Sequence, residues 1–590
     1  MIKTIISLIL LLILFLLILN FKNRKAGFFY VLSFLIAGNL ALAVLTQALG
    51  IFRYSVILAV FIIADFIILL KTDFKNLLNY IRKIKIDWIF LIVLFIAFLS
   101  LYSVHYNYTG KIATINGVEE VKNMKYLYPY FSDEWSSAAF AKYSISSGKL
   151  PMANPLWHNE FFVNLAFPFH AFASQVILFL DLNPLTQYYL LPLFAGILIC
   201  ALIYFILRLN NAGKIASGIS ALSVLYIANA ATLAGIWYFI PIVMGIILML
   251  LSFLFFSIKD NKMTFFNAFL SLIFYPPLIV FYPVLFFLRC RVFGKTKLLK
   301  LIFLFLVVFF FSIGFFILLQ DSHERKITFD LIKSKFYSTT IYKTLIPNFP
   351  IYRAIPVYVL VLAFFGFILN LKSFKEKLWL IAPIFTGLIF WIIYSKVLWR
   401  VIIEYDRVVL STSILMVILA GFGIDSIISC SKKKDYVKKY RVVEIAAIII
   451  FTAFFIMSFY YTQRDYWEDF SLKSTSDSMI FKPEPPANAY LHPADLELFK
   501  KISEKNFLSL SWKGLVIGTA TDNYPLVTKA STITNVYVDS SKFFDENCAN
   551  KLEIAKENSI VYVYSREISC PGFELVNISI EGLYLYKINI

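Results

Sequence analysis

The chain has 590 residues, of which 60% are hydrophobic and only 15% charged, with a mean hydropathy of +0.76. Such a composition excludes a soluble globular protein, and apolar runs that are continuous rather than alternating exclude a membrane β-barrel. The net charge of +19 is no nucleic-acid footprint: residues 1–461 hold 42 Lys and Arg against 19 Asp and Glu, and residues 462–590 hold 13 against 17. The excess sits in short loops between apolar runs, where positive charge marks the cytoplasmic side of a membrane protein.

A helix crosses ~30 Å of hydrocarbon in roughly 20 residues, which sets the scale for reading the chain. Residues 2–20 read as a retained membrane helix rather than a signal peptide, because only Lys3 precedes the run and no small-residue cleavage site follows. The basic link FKNRK (21–25) places the N-terminus outside. Runs 27–48 and 52–70 form a hairpin, the basic segment 71–87 lies inside, and run 88–105 exits, leaving 106–186 as a large external loop. Within it, 135–148 is expected to be a short helix ended by Gly148 with Pro151 beyond, and 165–180 an amphipathic helix along the interface.

Runs 187–208, 215–233 and 237–257 follow. Basic residues at both ends of 263–289 require two half-helices, broken near Tyr275-Pro276-Pro277. Run 301–319 exits to a second external loop, 320–352, with Asp321, His323, Glu324 and Arg325. Runs 353–371 and 378–396, an external turn KVLWRVIIEYDR (396–407), run 408–428, the basic cluster 431–441 and run 442–461 complete the membrane part. The expected fold is an all-α polytopic membrane protein of about 12–14 segments with a small extracytoplasmic α/β domain. Its divisions are 1–86, 87–461 and 462–590. In the tail, GLVIGTA (514–520), SIVYVYS (559–565) and GLYLYKI (582–588) read as strands and 494–505 as a helix. Cys548 and Cys570 are the only cysteines there and can pair if the tail is extracytoplasmic.

The polar stretch Tyr126–Pro155, YLYPYFSDEWSSAAFAKYSISSGKLPMANP, carries the adjacent carboxylates Asp133 and Glu134. An ionised carboxylate there can accept a proton from a hydroxyl or help hold a divalent cation. The competing reading is helix capping, since Ser132 and Asp133 are good N-cap types. Tyr126, Tyr128 and Tyr130 fit an interfacial aromatic belt.

The motif Ser132-Asp133-Glu134-Trp135, followed by Ala141-Lys142-Tyr143, Gly148-Lys149-Leu150-Pro151 and Asn154-Pro155, resembles the first external loop of the GT-C fold glycosyltransferases. That group includes protein mannosyltransferases, aminoarabinose transferases and oligosaccharyltransferase catalytic subunits. The half-helix hairpin 263–289 and the tail ending Leu583–Lys587 are similar too, and residues 2–70 would be an addition. The resemblance implies an inverting transferase in the plasma membrane that moves a sugar from a polyprenyl-phosphate donor to an external glycan, lipid or protein. It implies Asp133 as acceptor-activating base or metal-linked acceptor binder, with Glu134 as its neighbour, and a divalent cation (Mg or Mn) as cofactor. Donor phosphate would be neutralised by Arg407, Arg400 or Arg353, because arginine stays charged and binds phosphate bidentately. The alternative for Arg407 is a local salt bridge with Glu404 or Asp406. His158 and His170 are candidates for a sugar or a metal, and Trp135 or Trp157 for stacking on a sugar, with the aromatic belt as the competing reading for the tryptophans. No separate D-x-D or WWD-type motif is present, Trp467-Glu468-Asp469 being a poor substitute, so transfer of one sugar is expected rather than of an oligosaccharide block. The rival classes are a transporter, for which Asp65 in IIADFII is the one intramembrane candidate, and a non-catalytic scaffold.

Overall fold

In a computed structural model, the structure describes residues 2–14, 27–71, 87–106, 108–114, 117–129, 132–158, 164, 166–227, 236–283, 355–369, 374–394, 403–432, 492–500, 505–509, 513–521, 523–526, 540–580 and 582–589. The expected runs 301–319 and 442–461 and the second external loop lie outside these residues.

The apolar runs form helices α1 (Ile2–Leu14), α2 (Gly27–Ala48), α3 (Tyr54–Lys71) and α4 (Trp88–Tyr106). A β-hairpin, β1 (Tyr108–Thr114) with β2 (Gly117–Met124), then opens the large loop. It was not expected, although Asn116–Gly117 between alternating residues is a strong hairpin signal. Helix α5 (Ser132–Ser147) starts three residues before the expected position and ends at Gly148, whose φ of +70° suits glycine. Helix α6 (Phe167–Phe179) has 13 residues, about 20 Å, too short to span. Next come α7 (Leu190–Leu209), α8 (Lys214–Ser223), α9 (Pro241–Ser257) and α10 (Asn261–Phe274). Helix α10 is capped by Asp260, whose carboxylate accepts from the Met263 N–H at 3.1 Å. It stops at Tyr275, where Pro276 and Pro277 cannot continue the ladder, and a 3₁₀ turn over Pro276–Phe281 follows. Helices α11 (Val357–Leu369), α12 (Phe374–Ile392) and α13 (Tyr405–Lys432) complete the described membrane part.

Three described helices are long and apolar enough to cross a membrane: Gly27–Ala48, Leu190–Leu209 and Tyr405–Ser429. Helices α3, α4 and α11 turn Phe66, Phe95 and Phe364 outward at 61–62% exposure. Outward apolar faces on so many helices suit hydrocarbon, not water. Helix α13 runs through the middle of the bundle, against α8, α11 and α12. A Cβ on Gly366 would run into the Leu419 carbonyl and one on Gly423 into the Leu362 carbonyl, so α11 and α13 touch backbone to backbone.

The tail is a five-stranded sheet of order β4-β3-β5-β7-β6, built from β3 (Asn506–Ser509), β4 (Tyr524–Pro525), β5 (Tyr562–Ser565), β6 (Phe573–Ile578) and β7 (Tyr584–Ile588). Strands β4, β3 and β5 are parallel, while β7 pairs antiparallel with both β5 and β6. Its helices are α14 (Pro493–Lys500), α15 (Lys513–Ala520), α16 (Ser540–Asp545) and α17 (Cys548–Glu557), and Cys548 is bonded to Cys570. The expected strand 514–520 is instead helix α15. All eight of its residues are buried, so no polar face gives the sequence a helical period, and packing overrides the β-branched preference.

Candidate active site

Asp133 and Glu134 stand in the first turn of α5, inside the helix rather than capping it, where the helix dipole favours carboxylates. Successive helical residues point about 100° apart, so the pair diverges. Glu134, 2% exposed, turns inward and its Oε1 accepts from the Phe239 N–H at 2.8 Å. Asp133, with a side chain 29% exposed, turns to α13, where its Oδ2 lies 3.5 Å from Arg407 Nη2.

Arg407 stands in the first turn of α13, an unfavourable place for a cation beside helix N–H groups. Carboxylates offset this. Arg407 Nε is 3.3 Å from Asp406 Oδ2 and 3.8 Å from Glu404 Oε2, and its side chain is 12% exposed. Arg407 thus makes the local ion pair that was the alternative reading for it, on its Nε edge, and pairs with α5 on its Nη edge. Its buried Nη1 has no hydrogen-bond partner among the described residues. Tyr275, at the break after α10, lies in the field of Glu404, Arg407 and Asp406. Sequence reading placed that break but gave Tyr275 no role, because nothing local ties residue 275 to residue 407.

The other candidates separate from this cluster. His170 is buried on α6, stacked on Phe140 with centroids 4.6 Å apart and met at Nδ1 by the Asn164 amide at 2.9 Å. Burial pushes its imidazole down to about 3, with the Asp133 charge opposing, so it is neutral. His158 sits in an exposed turn, 3.2 Å from Asn506 Oδ1 and with its ring 3.9 Å from that of Tyr524, and so belongs to the junction with the tail. Trp135 is wholly buried, which leaves no ring face for a sugar, and Trp157 packs into the tail's second apolar core with Leu508 and Phe543. Neither belongs to an exposed belt. Arg400 and Arg353 lie outside the described residues. Asp65 is buried in α3, and both its carboxylate oxygens lack hydrogen-bond partners among the described residues.

The donor set among the described residues does not fit a divalent cation. Among the described residues no group of three or more His, Cys, Asp or Glu can hold one, and a cation at Asp133 Oδ2 would meet the Arg407 guanidinium 3.5 Å away.

The tail packs on α5. Helix α15 packs on α5, and Thr519 Oγ1 donates to the Trp135 carbonyl at 3.4 Å. A Cβ on Gly518 would come within 2.9 Å of Pro525 and 3.1 Å of Leu156.

No protein-family model matches the chain, and no curated protein matches it. Solved structures do. The oligosaccharyltransferase of Archaeoglobus fulgidus in its apo form has a TM-score of 0.45 at 11% identity over 81% of this chain and 69% of that one. The same enzyme tethered to an acceptor peptide containing the NVT sequon gives 0.45 at 12%, over 85% and 74%. AglB from that organism, in complex with an inhibitory peptide and a dolichol-phosphate, gives 0.41 at 12%, over 81% and 69%. Likeness at this level assigns neither fold nor activity, and the functional reading rests on the residues above.

Proposed function

We propose that the chain is an integral membrane glycosyltransferase of GT-C type that transfers one sugar, with inversion, from a polyprenyl-phosphate donor to an extracytoplasmic acceptor. The observation that supports it is the convergence of Asp133 and Arg407, 274 residues apart in sequence and 3.5 Å apart in space. Glu404 and Asp406 hold the Nε edge of the guanidinium, which leaves Nη2 beside Asp133 and Nη1 without a hydrogen-bond partner among the described residues. A phosphate oxygen pair suits the Nη1–Nη2 fork, since bidentate arginine–phosphate contacts are strong and directional.

In this reading the donor phosphate engages Arg407 and frees Asp133 from its ion pair. Asp133 then takes the proton of the acceptor hydroxyl, the acceptor oxygen bonds to the anomeric carbon, and the bond from that carbon to the phosphate oxygen breaks. The electron pair leaves on the phosphate, beside a guanidinium already in position. Attack opposite the leaving group inverts the anomeric centre.

Purified protein with a polyprenyl-phosphate sugar should lose about 10²–10⁴-fold in transfer rate as Asp133→Asn, the usual range for a lost general base. Arg407→Lys should raise the KM for donor, because an ammonium cannot reproduce the fork. Undiminished transfer by folded Asp133→Asn would sink the role given to Asp133. Transport keeps one observation, Asp65 without a hydrogen-bond partner among the described residues, and would require Asp65→Asn to abolish substrate flux across vesicles while Asp133→Asn leaves it intact.

A further inference from the structure

Phe239 lies in the short segment between residue 236 and α9, just before Ile240 and Pro241. Its backbone needs partners from outside, and two side chains supply them. The N–H is bound by Glu134 Oε1 and the carbonyl accepts from the Tyr188 hydroxyl, each at 2.8 Å. Glu134 is on α5, Tyr188 lies two residues before the start of α7, and Phe239 leads into α9, so one residue's backbone joins three parts of the chain. All of it is dry: Glu134 is 2% exposed, Tyr188 0% and Phe239 4%. A buried amide that loses its acceptor is expensive, and its position is well defined while it keeps one.

The same first turn of α5 carries Asp133, whose backbone carbonyl accepts from Ser137 Oγ at 2.7 Å. Rotation or withdrawal of that turn would move the Asp133 carboxylate relative to Arg407, which is fixed on α13 by its own carboxylates.

We infer that Glu134 is a positioning residue, not a second acid or base: together with Tyr188 it clamps Phe239 and so fixes where Asp133 stands. The inference rests on the transferase reading for Asp133, and it concerns what the neighbouring carboxylate does. The clamp needs an oxygen acceptor at Glu134, not a negative charge. An amide side chain at that position retains the acceptor, whereas alanine removes it.

The test compares Glu134→Gln, Glu134→Ala and Tyr188→Phe in kcat, in the KM for donor, and in hydrogen–deuterium exchange of the Phe239 amide. Glu134→Gln should stay within about 3-fold of the parent kcat and keep the amide protected. Glu134→Ala should lose roughly 10²-fold in kcat, as misplacement by about an ångström does, with donor KM little changed and the amide exchanging faster. Tyr188→Phe should lower kcat in the same direction by about 10-fold while the Phe239 amide stays on Glu134. If Glu134→Gln is as inactive as Glu134→Ala while its amide remains protected, the charge itself is used and the inference falls. Parent activity in Glu134→Ala overturns it equally. Should Glu134→Ala not fold, Glu134→Gln and Tyr188→Phe still decide between the two roles. Failure of the transferase reading is separate, because it shows as activity retained by Asp133→Asn, whereas the exchange of Phe239 does not depend on that outcome.

Discussion

Arg407 was legible in the sequence as a candidate for the donor phosphate or for a local salt bridge with Glu404 or Asp406. What could not be read was its partner, because the contact with Asp133 depends on how α5 and α13 are brought together and no local pattern encodes that. Asp133 and Glu134 show the opposite limit. Adjacent in sequence they look like one acidic motif, but a helix sends them to different neighbours, one to a guanidinium and one to a buried amide. His170 carries a pH prediction. Its folded form is held near 3, while the unfolded chain takes a proton below about 6.5. The unfolded state therefore binds more protons as pH falls through that window, and stability is lost on acidification. Between pH 7 and pH 5 this one group should remove about 2 kcal/mol. Melting temperatures in detergent should show it as a pH slope that flattens in His170→Gln.

At the scale of elements, the helices were readable where one polar boundary followed another. Gly148 ended α5 and the Tyr275-Pro276-Pro277 break ended α10 as their chemistry requires. Helix α15 was misread because it is buried all round, and the hairpin β1–β2 was missed although its turn residues announce it. Glycines mark the closest helix crossing. At Gly366 and Gly423 the backbones of α11 and α13 leave no room for a side chain. Gly423→Val should push α13 away from α11 and destabilise the bundle by about 1–3 kcal/mol or more, the range for overpacking a tight interior. A thermal melt of the variant in detergent checks this. Because α13 also carries Arg407, transfer should fall further than the melting shift alone explains.

For the whole molecule, the tail is not an appendage. Phe507, Leu515, Val516 and Ile517 share one apolar core with Trp135 and Ala138 of α5 and with the membrane helices. The opposite face of the sheet has its own core, with Trp157 contributed by the large loop. The disulfide Cys548–Cys570 closes a separation of 22 residues, which on a chain-entropy view stabilises the domain by about 3 kcal/mol. Reduction with a thiol should lower the melting temperature of the tail. Transfer should fall with it if α15 is needed to hold α5.

The contact of Thr519 with the Trp135 carbonyl, and of α15 with α5, also bears on synthesis. The residues of α15 that pack on the acidic helix are made almost four hundred positions after it. The nascent protein would thus carry α5 without this packing partner until α15 has been made. Chains stalled before residue 513 should then show faster hydrogen–deuterium exchange in α5 than released ones, and equal exchange would mean that α15 does not order that helix.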